Sequence, residues 1–217
     1  MYSPVSKDFR SFPSSRFSAP STRFYEITGG FDKLPNAFLP YLHKNIRKAI
    51  RQLHYVSSTK IGVQFSRRFW EEHGLYGGQS VTDLPIRLSY YPSHRYGDQG
   101  GVVLASYTWE DDALPWISMS KEEQVMMVLK EMSRIFGDVV YKTFVTGYAH
   151  NWALHPFSAG AFSLFKPLQE TNIGPYISTP EGRVHFAGEH ASDEHGWIQG
   201  AIQSAIRVAH EINAICP

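Results

Sequence analysis

The chain has one cysteine among its 217 residues, Cys216, and therefore has neither an internal disulfide framework nor a multi-cysteine metal site. A lone thiol is tolerated in reducing and oxidising surroundings alike, so it assigns no compartment. An excess of charge is also missing: 21 Lys and Arg stand against 20 Asp and Glu. The resulting formal charge of +1 supplies no field for wrapping nucleic acid or gripping an anionic membrane. No apolar run approaches the roughly 18 to 20 residues of a membrane span, and no apolar leader follows Met1. There is no internal repeat and no clear linker. What is present is 42% hydrophobic and 19% charged, enough for one ordinary domain or two small ones, which excludes disorder as the dominant state. Aromatic residues make up 14%. Such side chains line flat organic ligands or fill a large core, and composition alone favours the core.

Residues 1–23 are rich in Ser, Pro, Arg and Phe and read as an irregular surface arm. A short strand is expected over 24–28, ending at Gly29-Gly30, and a helix near Pro35 that Pro40 shortens. Ile46, Ala49, Ile50 and Leu53 recur at helical spacing, so a second helix follows almost at once. Residues 57–66 alternate, with Thr59, Ile61, Val63 and Phe65 on one face and Lys60, Gly62 and Gln64 on the other. A further strand, 101–109, places Val103, Ala105, Tyr107 and Trp109 on one face by the same alternation. Ser120-Lys121-Glu122-Glu123 is a capping box, opening a helix with Val125, Val128, Leu129, Met132 and Ile135 on one stripe and Gly137 at its stop. Near the C-terminus a strand over 184–188 leads through a loop to a helix whose Ile198, Ala201, Ile202, Ala205, Ile206, Ala209 and Ile212 share a broad face.

The junction from Phe186 to Ile198 concentrates the functional signal. A strand ending in small residues lets a ligand approach the backbone, and the next helix presents unpaired N–H groups with a partial positive charge. Glu189 stands where a carboxylate binds vicinal hydroxyls, and Gly196 leaves room for a flat ring beside Trp197. The same residues equally describe a strand-to-helix loop with an acidic turn.

Several ordered motifs here resemble the flavin amine oxidases, specifically L-amino-acid oxidases of the venom and leukocyte type. They are Phe24-Tyr25-Glu26-Ile27-Thr28-Gly29-Gly30-Phe31-Asp32-Lys33-Leu34-Pro35, His54-Tyr55-Val56-Ser57-Ser58-Thr59-Lys60-Ile61, and Thr82-Asp83-Leu84-Pro85 with Tyr90-Tyr91-Pro92. Ala105-Ser106-Tyr107-Thr108-Trp109, Trp152, Gly182-Arg183-Val184-His185-Phe186-Ala187-Gly188-Glu189-His190 and His195-Gly196-Trp197-Ile198 continue the series. The resemblance implies an α+β fold: a mixed or antiparallel substrate-domain sheet with helices, plus the C-terminal strand-helix portion of a Rossmann-like FAD-binding domain. It divides the chain into an arm with a partial FAD segment (1–45), a substrate-binding sheet domain (46–165) and a C-terminal FAD segment (166–217).

It also implies FAD as cofactor and an L-amino acid and oxygen as reactants, giving a 2-oxo acid, ammonia and hydrogen peroxide. Lys60 resembles the lysine that holds a water near the flavin; alone on a strand it would be a solvated surface charge. Tyr107 resembles the tyrosine that binds the substrate carboxylate, or else is a half-buried sheet tyrosine. Trp152 and Trp197 resemble aromatic walls of the site, against ordinary packing. Gly188 and Glu189 resemble the flavin-side turn, with the carboxylate on the ribityl chain. Gly196 resembles the residue whose carbonyl accepts from the substrate amine, and Ile198 the start of a helix aimed at the flavin.

The family's G-x-G-x-x-G pyrophosphate turn occurs nowhere in the chain, and its substrate-clamping arginine and helical-domain histidine have no counterpart. Near His43-Lys44-Asn45 the chain passes directly between two helices that several strands separate in the family. These departures imply a truncated, internally shortened member. Its apolar terminal helix would favour self-association, and a catalytically silent partner of a complete oxidase is the competing reading. The family is commonly secreted or lysosomal, and the sequence carries no address of its own.

Overall fold

A computed structural model describes residues 2–4, 25–94 and 100–215. Cys216, Phe24 and most of the expected 1–23 arm lie outside the described residues. Where that arm is described it is not irregular: β1 (Tyr2–Pro4) pairs antiparallel with β2 (Tyr25–Ile27). After β2, α1 (Lys33–Phe38) continues into a single 3-10 turn, Leu39–Tyr41, with Pro40 near its start. Neither buries a side chain. Then α2 (Lys44–Gln52) begins at His43, whose Nδ1 accepts the Asn45 amide at 3.3 Å, and buries Ile46 and Ala49.

The centre is a five-stranded antiparallel sheet of β3 (Ser58–Phe65), β4 (Gln79–Val81), β5 (Leu88–Tyr90), β6 (Gly101–Trp109) and β7 (Phe144–Asn151), in the order β4-β5-β6-β3-β7. Between β6 and β7 come α3 (Leu114–Ile117), α4 (Lys121–Phe136) and α5 (Val139–Thr143). The capping box forms as expected, Ser120 Oγ accepting the Glu123 amide and Glu123 accepting the Ser120 amide, which satisfies two donors that a bare helix start leaves orphaned. Val125, Val128, Leu129 and Met132 then face one side of the sheet. They meet Ile61, Val63 and Phe65 of β3 and Val103 and Ala105 of β6, so the alternation of β3 places its odd-numbered side chains in the core. Phe65, Phe69, Trp70, Tyr91 and Phe136 close one end with ring contacts at 5.0–6.3 Å, edge-to-face except for the tilted Trp70–Tyr91 pair.

The expected facing of β6 holds only for its first half. The β3–β6 ladder shifts register between Ile61 and Gly62, so Ile61 pairs with Ser106 and Gly62 with Leu104, leaving Ala105 as an extra residue. Past this bulge, Ser106 and Thr108 turn into the core while Tyr107 and Trp109 move to the opposite face. Ser106 tolerates burial because its hydroxyl donates to the Ile86 carbonyl at 3.1 Å.

The last third is built from α6 (Gln169–Asn172), α7 (Gly174–Ile177) and α8 (Ile198–Ile215). The strand expected over 184–188 does not form: beyond an isolated Glu181–Val184 bridge, no neighbouring strand among the described residues offers it a ladder. Side chains from α8 substitute for a sheet. Arg207 donates to the Phe186 carbonyl at 2.7 Å, and Ser204 Oγ accepts the Gly188 amide at 2.9 Å. The isoleucine stripe of α8 is left open, Ile198 being 80% exposed, Ile202 51% and Ile206 54%.

Candidate functional site

The bulge in β6 assembles a row of side chains across four strands. Lys60 pairs directly with Tyr107 on one side and with His150 on the other, and Tyr107 pairs in turn with Leu88. All lie on the sheet face away from α4, because each core neighbour (Ile61, Ser106, Ala149) points the other way. Lys60 Nζ sits 4.5 Å from the Tyr107 ring centroid, a cation over an aromatic face. On the far side His150 packs edge-on against Trp152 at 4.4 Å, and its buried Nε2 has no hydrogen-bond partner. Trp152 begins the 3-10 turn Trp152–Leu154 at the end of β7, which brings it to the β7 side of Lys60.

A second group forms at the turn before α8. Gly188 adopts φ 135° and Gly196 φ 75°, conformations that glycine alone adopts without strain. A Cβ at Gly196 would come 3.1 Å from Phe162 Cδ2. Glu189 accepts the Gly196 amide at 2.8 Å and both the amide and hydroxyl of Ser163 at 3.1–3.2 Å. Gly200 lets the 192–194 loop lie on α8, since a Cβ there would collide with the Glu194 carbonyl and Ser192 Oγ. Trp197 and Ile198 remain exposed at the start of α8, and His195 Nε2 is buried without a partner beside the Phe165 ring, 4.6 Å away.

The two groups are joined by the segment 161–164. Main-chain bonds from Val56 to Phe162, Ala161 to Val56 and Leu164 to His54 fasten this strap to the chain entering β3. Trp109 links Tyr107, at 5.3 Å, to Phe162, at 5.4 Å, and Phe162 abuts Gly196. Lys60 and the Gly196 turn therefore share one chain of contacts. Trp109 and Phe162 carry it beyond Tyr107, while His150 flanks Lys60 on the β7 side and Ser163 holds Glu189; none of these four stands out in the sequence as a site residue. The signal for His150 was its parity with Lys60 in facing strands, which becomes readable only with the register known.

A cavity of about 270 Å³ opens nearby, between α2, α7 and the segment from Phe186 to His190, with Tyr55 and Ser163 among its lining. Its walls are mostly apolar, and neither Lys60 nor Tyr107 borders it. Burial, and secondarily the Glu189 charge, raises the Tyr55 phenol above its ordinary pKa, so the neutral form is the one favoured there. No cluster of three or more metal-ligating side chains occurs among the described residues. No helix among them is long and apolar enough to cross a membrane.

Residues 23–213 match the family described as flavin containing amine oxidoreductase. The Bacillus subtilis (strain 168) protein YobN, whose name as an L-amino-acid oxidase is provisional, is 44% identical over 260 residues, covering 92% of this chain and 54% of that protein. The L-amino-acid oxidase of Siganus canaliculatus is 46% identical over 178 residues, covering 81% of this chain and 34% of that protein. The chain thus spans about half the length of the first relative and a third of the second. A redesigned putrescine oxidase superposes with a TM-score of 0.71 at 21% identity, over 81% of this chain and 39% of that one, a likeness of fold.

Proposed function

The chain belongs to the flavin containing amine oxidoreductase family, and from that premise we propose that it is part of an FAD-dependent L-amino-acid oxidase. In this reading residues 46–165 supply the substrate-side sheet, and 166–217 supply the turn and helix that meet the flavin ring. The observation that carries it is the continuous contact from Lys60 through Tyr107, Trp109 and Phe162 to Gly196.

The residues present suit the ring end of a flavin. Gly196 keeps the turn free of a side chain, Trp197 is exposed beside it, and the first turn of α8 offers N–H groups with a partial positive charge. The pyrophosphate end is different, because no G-x-G-x-x-G exists among the 217 residues. Internal shortening is supported by the Bacillus alignment, which runs over 260 residues while taking in 92% of a 217-residue chain; the relative carries residues this chain lacks.

Bound FAD supplies the electron chemistry that turns an L-amino acid into its imine at the expense of oxygen, which leaves as hydrogen peroxide. The protein's own groups bind and orient. The Lys60 ammonium, with three donors, holds the water that attacks the imine carbon to give the 2-oxo acid and ammonia. The Tyr107 hydroxyl donates to the substrate carboxylate, and the Gly196 carbonyl accepts from its amine. Trp152 and Trp197 would wall the site, Gly188 would allow close approach of the cofactor, and Glu189 would stand beside its ribityl chain. The N-terminus of α8 at Ile198 would favour negative charge on a flavin ring held there.

The experiment is to saturate the purified chain with FAD and add L-leucine or L-phenylalanine without oxygen. The proposal predicts bleaching of bound flavin and peroxide release on readmitting air. A flavin spectrum that no L-amino acid changes contradicts catalysis by this chain on its own.

A further inference from the structure

Sequence resemblance gives Glu189 a cofactor to hold, yet in the chain alone its carboxylate already has several donors. Oε1 accepts the Ser163 amide at 3.2 Å and the Ser163 hydroxyl at 3.1 Å. Oε2 accepts the Ser163 amide at 3.2 Å and the Gly196 amide at 2.8 Å. Ser163 is fully buried and belongs to the strap that three main-chain bonds fasten to residues 54 and 56, just ahead of β3. Gly196 belongs to an exposed left-handed turn seven residues beyond Glu189. One side chain therefore ties the turn to the strap. Both ties are charge-assisted, the stronger class of hydrogen bond.

We infer that Glu189 is a positioning residue that clasps the Gly196 turn to the Ser163 strap, so that the turn keeps its place relative to Lys60. It acts through Gly196 rather than on the reacting atoms. The inference rests on the proposed role of that turn, but its physical content is present without any cofactor. The chemistry explains the residue type. A carboxylate accepts on both oxygens and carries charge, whereas glutamine keeps one neutral acceptor oxygen and places an NH2 donor where Oε1 now accepts the Ser163 hydroxyl. The Ser163 hydroxyl is buried, and the Glu189 carboxylate is the acceptor that satisfies it.

The test is amide hydrogen exchange on the full chain without flavin, comparing wild type, Glu189→Gln and Ser163→Ala. The Gly196 amide of Glu189→Gln should exchange about tenfold faster, as expected when the bond loses its charge assistance. The Ala191 amide, bonded to the Gly188 carbonyl at 3.1 Å, serves as a local reference and should move little. Ser163→Ala removes the hydroxyl donor but retains the main-chain one, and should give a smaller acceleration at Gly196. Equal Gly196 exchange in wild type and Glu189→Gln, with the reference unmoved, overturns the inference. So does an unprotected Gly196 amide in wild type, a result that needs no variant. If wild type keeps the exchange pattern but fails to bind FAD, the clasp stands and the oxidase reading fails. If Glu189→Gln weakens FAD binding while Gly196 exchange is unchanged, Glu189 acts on the cofactor alone and the clasp is wrong.

Discussion

Lys60 and Tyr107 stand directly opposite each other on neighbouring strands, with the Lys60 ammonium 4.5 Å from the Tyr107 ring centroid. The pairing exists because Ala105 is bulged out of the β3–β6 ladder; without that extra residue Tyr107 would point into the core. The aromatic ring current then shields the Lys60 ε-methylene protons. We predict that these protons resonate upfield in wild type and return to ordinary lysine values in Tyr107→Leu. A contact of this exposure contributes about 0.5–1 kcal/mol, so the unfolding midpoint should change little.

Gly196 combines φ 75° with a Phe162 ring 3.1 Å from where a Cβ would sit. Gly196→Ala should therefore cost about 1–3 kcal/mol in urea unfolding, through backbone strain and displacement of Phe162. Because Phe162 touches Trp109, the variant should also shift tryptophan fluorescence, whereas Gly182→Ala, where φ is 57° but no atom lies within 4 Å, should strain the backbone without that shift.

The isoleucines of α8 are about half exposed or more, and exposed apolar stripes of this kind drive association. Sedimentation should show concentration-dependent self-association of wild type. The double variant Ile202→Ser, Ile206→Ser should sediment as a smaller species with unchanged circular dichroism, since both side chains are exposed and their loss leaves no cavity.

Glu211 accepts from His185 Nδ1 at 2.8 Å and from Arg207 at 2.6 Å, and these contacts, the His185 bond first, hold its carboxyl below the ordinary glutamate value. A depressed carboxyl pKa stabilises the fold above the unfolded value, and that contribution disappears as pH falls through the folded one. Melting temperature should therefore decline more steeply in wild type than in Glu211→Gln as pH is lowered through the acidic range. Parallel curves would remove the linkage.

Patterns that depend on near neighbours were legible in the sequence. The alternation of β3 put Lys60 on the face away from the core, and Ser120 with Glu123 announced the start of α4. The facing of Tyr107 and Trp109 was not legible, because a bulge inserts a residue without altering the polar and apolar alternation on either side of it. The 184–188 segment has the small and apolar residues of a strand, but strand formation needs a partner, and Arg207 and Ser204 of α8 occupy its polar groups instead. Motif resemblance named Lys60, Tyr107, Trp152, Gly188, Glu189, Gly196, Trp197 and Ile198 one by one. That Trp109 and Phe162 bridge them depends on contacts between residues more than fifty positions apart.

The central claim is that the sheet row and the turn before α8 face one flavin ring. Its most direct test is a titration of the isotope-labelled chain with FAD, followed by amide chemical shifts. The account predicts that Lys60, Tyr107, Gly196 and Trp197 move together along a single saturation curve. Shifts confined to one group, or following separate curves, would contradict it.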